Sequence, residues 1–287
     1  MNAIRLVHVS DTHLSATHGY FAMNWDGFVA DMRAAPPDFL VHGGDIAFNG
    51  PVAEDDLRYA AERIAALGVS WRAVPGNHDT GEAPGFSRLK QPVTEARMAA
   101  WRQHVGPQWW VQDLDAWRLV GLDTSLMGSG LAAEAEQRAF FEAALAERHG
   151  RPVMLFIHMP PFLENPEDAA WTTSVVPHPA REWLLETCVE GGVRVIACGH
   201  LHVYRKLRHR GMDIVWAPPT AMVDVRKVRA QRRRFARPGY VEWTLDGTRA
   251  VHRLVEPSNM FIIDMTRWTA ESGGTVTNLP PWPGASR

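Results

Sequence analysis

Short apolar runs, each ending in a polar or glycine-rich turn, recur at residues 4–9, 39–42, 71–74, 117–122, 153–157 and 193–197. Their length and β-branched content predict buried strands rather than fragments of helix. Between them lie amphipathic stretches at 25–34, 53–67, 94–104, 133–148 and 180–190, where apolar positions repeat at helical spacing. Pro177 and Pro179 stand where the last of these would begin. Beyond Gly199 the pattern turns strand-rich, with runs at 212–217, 240–245 and 249–255, and Asp246-Gly247 suits a tight turn between the last two. Strands alternating with helices, followed by strands alone, predict an α/β fold of two mixed sheets packed face to face with helices outside. One domain is expected over 1–256, followed by an extension over 257–287 that docks through 260–265 and frays at its end.

Composition narrows the function classes. Apolar residues make up 46% of the 287 and charged residues 22%, which predicts a packed core. A formal charge of −2 gives no global attraction to nucleic acid or anionic membrane. An anionic substrate would therefore need a local positive centre. Two cysteines, Cys188 and Cys198, are too few for a disulfide scaffold and read as core thiols of a reducing compartment. No basic-then-apolar leader precedes the first strand, and no run is long enough to span a bilayer, so a cytoplasmic location is expected. Both a monomer and a homo-oligomer stay open.

Polar clusters close five of the predicted strands: Ser10-Asp11-Thr12-His13, Gly43-Gly44-Asp45, Gly76-Asn77-His78-Asp79, Ile157-His158-Met159 and Gly199-His200-Leu201-His202. Each alone has an ordinary reading as a turn former, loop carboxylate or core histidine. Together they put Asp, Asn and His on one rim of a sheet, where α/β folds gather their ligands. Imidazole with carboxylate suits manganese, iron or zinc, whereas calcium favours oxygen alone. Seven candidate ligands are too many for one tetrahedral ion and suit two ions that share a carboxylate.

These motifs resemble the calcineurin-like metallophosphoesterases, whose pattern is D-x-H, G-D, G-N-H-D/E, H and G-H-x-H, and the likeness runs from about Ile4 to Glu256. The resemblance implies a four-layer α-β-β-α sandwich and two metal ions, manganese or iron first and zinc also compatible. Asp11, His13, Asp45 and His202 would hold one ion; Asp45, Asn77, His158 and His200 would hold the other. His78 would stand beside the leaving group as general acid, with Asp79 either orienting it or capping the next turn. The nucleophile implied is hydroxide, from a water whose pKa the ions lower.

Wording around the motifs narrows the branch. The protein Ser/Thr phosphatases follow Gly-Asp with Val-Asp-Arg-Gly, but here Asp45 is followed by Ile46-Ala47-Phe48-Asn49. Purple acid phosphatases carry a tyrosine ligand where this chain has Phe48. Ser10–Leu14 and Val74–Asp79 are most similar to class III cyclic nucleotide phosphodiesterases and glycerophosphodiesterases. A small phosphodiester substrate is therefore expected, with a monoester or a nucleotide pyrophosphate as the alternative on the same centre. His18, Asn24 and Trp25 are candidate pocket residues, and Trp109-Trp110 reads as a stacking platform or as core. The basic segment 226–237 is either a solvated loop or an anion-binding patch.

Overall fold

In a computed structural model of the chain, residues 3–85, 87, 89–168, 172–223, 237–265 and 276–283 are described. One sheet holds β1 (Ile4–Val9), β2 (Phe39–His42), β3 (Trp71–Ala73), β10 (Tyr240–Asp246) and β11 (Arg249–Val255), in the order β11-β10-β1-β2-β3. The other holds β4 (Trp110–Leu114), β5 (Trp117–Gly121), β6 (Val153–Phe156), β7 (Val193–Cys198), β8 (Arg205–His209) and β9 (Met212–Trp216), in the order β4-β5-β6-β7-β9-β8. β1, β2 and β3 pair in parallel, as do β5, β6, β7 and β9; β4, β8, β10 and β11 join antiparallel.

The period of two along each strand divides the apolar side chains among three cores. In β6, Met154 and Phe156 face the other sheet, while Val153 and Leu155 face helices α5 (Ala132–Ala146) and α6 (His178–Glu190). In β1, Leu6 faces the second sheet, whereas Val7 and Val9 pack under α1 (Ala22–Ala34), α2 (Glu54–Ala65) and α4 (Glu95–His104). The result is the four-layer α-β-β-α sandwich. A single helical turn, α3 (Asn77–Thr80), follows β3 at the rim.

Two histidines interrupt this apolar middle. His8 and His42 are both fully buried, and burial pulls each ring down to about 3. His42 shares a 2.9 Å hydrogen bond with the Thr12 hydroxyl, but neither ring nitrogen of His8 has a partner among the described residues. Folding thus keeps both rings neutral where the unfolded chain protonates them, so their contribution to stability is complete above about pH 6.5 and declines as pH falls towards 3. The slope is up to about 1.4 kcal/mol per pH unit for each ring. Urea midpoints measured from pH 7 to 4.5 should fall accordingly, and His8→Leu should make the fall shallower.

Trp110 opens the edge strand β4 and is core, with its indole N–H donating to the Ala73 carbonyl at 2.7 Å. The charged run Arg205–His209 is edge strand β8. Of the basic segment, Arg226 through Arg234 lie outside the described residues. After residue 257 the chain crosses α1 and returns to the rim: Met260 packs with Trp25 and Phe28, and Val223 pairs with Asp264. No helix among the described residues is long and apolar enough to cross a membrane.

Candidate metal centre

All five motifs follow strands whose ends meet on one rim: β1, β2, β3, β6 and β7. The loops are stitched together by backbone. Asp11 N donates to Gly44 O, Thr12 N and His13 N to Asp45 O, and Ala221 N to Asp11 O, all at 2.9–3.1 Å. This tight weave forces left-handed backbone on residues that ordinarily avoid it. Among the described residues, nine non-glycines have positive φ, and five of them are Asp11 (56°), His13 (45°), Asp45 (54°), His200 (70°) and His202 (55°). Strain of this kind costs on the order of 1 kcal/mol or more per residue and persists where surrounding contacts over-determine it.

Two of the motif glycines are required by close approach. Gly44 has φ +99°, and a Cβ there would strike the His158 ring. A Cβ on Gly76 would strike the Asp45 carboxylate. The Gly-Asp and Gly-Asn-His-Asp motifs therefore encode room for their neighbours as well as the ligands themselves.

The side chains converge in two groups. Oxygen or nitrogen atoms of Asp11, His13, Asp45 and His202 lie within 4.8 Å of one another, as do those of Asp45, His158 and His200. Asp45 belongs to both: its Oδ2 is 3.8 Å from His13 Nε2 and 3.3 Å from His158 Nε2. Its Oδ1 accepts the His78 amide at 2.8 Å, which fixes the plane of the carboxylate. His202 Nε2 stands 3.3 Å from both Asp11 Oδ1 and His13 Nε2.

Backbone carbonyls set the direction of the rings. His158 gives Nδ1–H to Gly43 O at 2.8 Å, His202 gives Nδ1–H to Met222 O at 2.9 Å, and His200 gives Nε2–H to Thr173 O at 2.7 Å. Each bond leaves the opposite nitrogen turned inward, the arrangement that metal-binding histidines need. His158 Nε2 and His200 Nδ1 then face each other across 3.2 Å. Two lone pairs cannot share that space unless a cation or a proton lies between them.

The charge balance agrees. Burial alone would raise Asp11 and Asp45, yet His202 beside the first and His158 beside the second hold both carboxyls well below the usual range. Burial, then His78, pushes His13 well below its ordinary value, leaving it neutral. Burial also opposes a charge on His158, but Asp45 overcomes it and lifts the ring to about 10. A proton there competes with a metal, so acid should expel bound ions. Two further buried oxygens, Asp11 Oδ1 and Asn77 Oδ1, have no hydrogen-bond donor. Orphaned buried acceptors cost about 1–3 kcal/mol each. Inward lone pairs, ionised buried carboxylates and orphaned oxygens fit a pair of divalent or trivalent cations.

The other expected residues separate. His78 is half-buried; its Nδ1–H donates to Phe48 O at 2.9 Å, and its ring meets His13 edge-on at 4.6 Å. Asp79 does not orient that ring. Its carboxylate accepts from Gly76 N (2.8 Å), Ala47 N (2.9 Å) and Ile46 N (3.3 Å), so it clamps the loops that carry Asp45 and Asn77. Burial and the Asp45 charge push its carboxyl up to about 8, against the pull of those amides. His18 stacks on Phe48 with ring centroids 4.6 Å apart and planes 6° from parallel. Trp25 is 1% exposed and packs on Phe28 in the helix-side core.

Asn24 is a tie rather than a pocket residue. Its amide donates to Thr220 O, Ala221 O and Phe261 O, and its carbonyl accepts Phe261 N at 2.7 Å. It joins α1 and the C-terminal segment to the loop whose Met222 carbonyl aims His202. Asn24→Ala should lower unfolding stability by about 2–3 kcal/mol, because it strands buried backbone groups; urea denaturation reads this directly. Sequence reasoning missed Thr173, Met222 and Phe48 as ring-holding positions. They act through carbonyls that every residue carries.

A family profile for calcineurin-like phosphoesterases matches residues 4–204. The chain therefore belongs to the calcineurin-like phosphoesterases, and with its paired clusters it is a metal-dependent phosphoesterase. It is 28% identical over 236 residues to a protein of Arcobacter nitrofigilis named probable glycerophosphodiester phosphodiesterase GpdQ, covering 77% of this chain and 81% of that one. It is 25% identical over 280 residues to the 3',5'-cyclic adenosine monophosphate phosphodiesterase CpdA of Vibrio vulnificus, covering 92% and 94%. In fold it resembles purple acid phosphatase PPD1 of yellow lupin seeds, with a TM-score of 0.67 at 16% identity over 92% of this chain and 53% of that one.

Proposed function

We propose that the chain hydrolyses a small phosphodiester, of glycerophosphodiester or cyclic nucleotide type, with Asp11, His13, Asp45 and His202 holding one ion and Asp45, Asn77, His158 and His200 the other. The observation that carries this reading is the position of Asp45, whose Oδ2 serves both clusters. Bound there, a pair of ions supplies a nucleophilic water and neutralises phosphate charge. Manganese or iron suits the mixed Asp, Asn and His donors, as does zinc. Diester preference is supported by the names of the two relatives and by Phe48, which offers no oxygen where purple acid phosphatases have a tyrosine ligand.

The chain's own residues do the rest. With Nδ1–H committed to Phe48 O, His78 presents Nε2 outward. Protonated there, it delivers a proton to the departing alkoxide, which is otherwise a poor leaving group. His18, held flat against Phe48, is the substrate-facing aromatic next to it.

The test is turnover of bis(p-nitrophenyl) phosphate by manganese-loaded protein, compared with p-nitrophenyl phosphate. A higher kcat/KM on the diester is expected. A preference for the monoester would move the chain to the phosphomonoesterases, and hydrolysis of neither would remove the reading.

A further inference from the structure

A second feature lies at the far end of the sandwich. A cavity of about 460 Å³ opens beside Gly150, Pro152 and Gly192, the residues that lead into β6 and β7. The metal-binding histidines follow those same strands, so the two sites are separated by a strand length, roughly 13–20 Å.

Arg148, Arg194 and Arg208 line the cavity, together with Trp117, Thr248 and one acid, Asp213. That acid is already engaged, with Lys206 Nζ 2.9 Å from its Oδ2. Neither Arg194 nor Arg208 has an ion pair or side-chain hydrogen bond among the described residues. Arg58, Arg118 and Arg138, by contrast, each reach a carboxylate within 3.0 Å. Arg148 makes one long bond, 3.4 Å, to the Arg151 carbonyl. Trp117 is 2% exposed, and its indole N–H has no acceptor.

Apart from the Thr248 hydroxyl, every uncommitted polar side chain lining the cavity is thus a pure donor, and three carry positive charge. Clustering cations in a concavity costs repulsion, which an anion relieves. Guanidinium forks match the oxygen spacing of phosphate and take it bidentately.

We infer that this cavity binds a small phosphate-type oxyanion of at least two negative charges, separately from the metal centre. Arg194 and Arg208 supply the charge, and Arg148 closes one side. The chain's net charge of −2 makes the attraction local to this spot.

Calorimetric titration of the metal-loaded full chain with inorganic pyrophosphate at fixed salt tests it. Two classes of site are expected: one lost in Asp45→Ala, the other retained there. In the double variant Arg194→Ala/Arg208→Ala, the second class should weaken by about tenfold or more, while turnover of bis(p-nitrophenyl) phosphate and the urea midpoint stay unchanged. A single class of sites that vanishes in Asp45→Ala overturns the inference, as does a second class unaltered in the double arginine variant.

Discussion

Asp45→Ala should lower phosphodiester turnover by on the order of 10³-fold or more. The carboxylate is the one group that both clusters use, so its loss removes a donor from each. It also removes the acceptor of the His78 amide and the charge that balances His158. His13 and His158 would then face the site with less negative charge to draw a cation between them. The fold should survive, because Asp79 still clamps the Ile46 and Ala47 amides against Gly76. Steady-state kinetics with excess manganese and an unfolding curve would separate lost chemistry from lost structure. Turnover within tenfold of wild type would mean that the reaction does not run on the shared carboxylate.

His78→Gln should behave differently. Metal content should stay at the wild-type level, since the ring gives its Nδ1–H to Phe48 O and lies outside both ligand groups. On a substrate with an alkyl leaving group, kcat should fall by about 10²–10⁴-fold, the usual worth of a positioned general acid. On bis(p-nitrophenyl) phosphate, whose leaving group departs without a proton, the fall should be only about tenfold. This dependence on the leaving group is the signature of a proton donor, and a merely structural role would depress both substrates equally. Equal loss on the two would reassign His78 to shaping the site.

The sequence made the sandwich legible because buried parallel strands such as β6 and β7 are continuous apolar runs. The edge strands β4 and β8 were hidden for the opposite reason. Val111 to Leu114 and Arg205 to His209 face solvent on one side and carry the charges that keep an edge from pairing with another chain. Hydropathy reads such segments as loop. At the site, the donor types of Asp11, His13, Asp45, His158, His200 and His202 were visible because metal chemistry demands particular side chains. Their left-handed backbone was not visible, since it follows from hydrogen bonds between loops distant in sequence. Nor were the carbonyls of Gly43, Thr173 and Met222 that aim the rings, because a carbonyl leaves no mark on residue identity. Asn24 misled through proximity: it follows the first motif closely in sequence but points to the C-terminal segment.

Two ions that share Asp45 would be countable in the loaded protein. Protein stripped of metal, reloaded with manganese and measured by elemental analysis should hold two ions per chain. His202→Ala should retain one of them, in the cluster of Asp45, His158 and His200. A wild-type content of one ion at saturation, or a His202→Ala protein that still holds two, would rule out the two-ion arrangement built on Asp45 and His202.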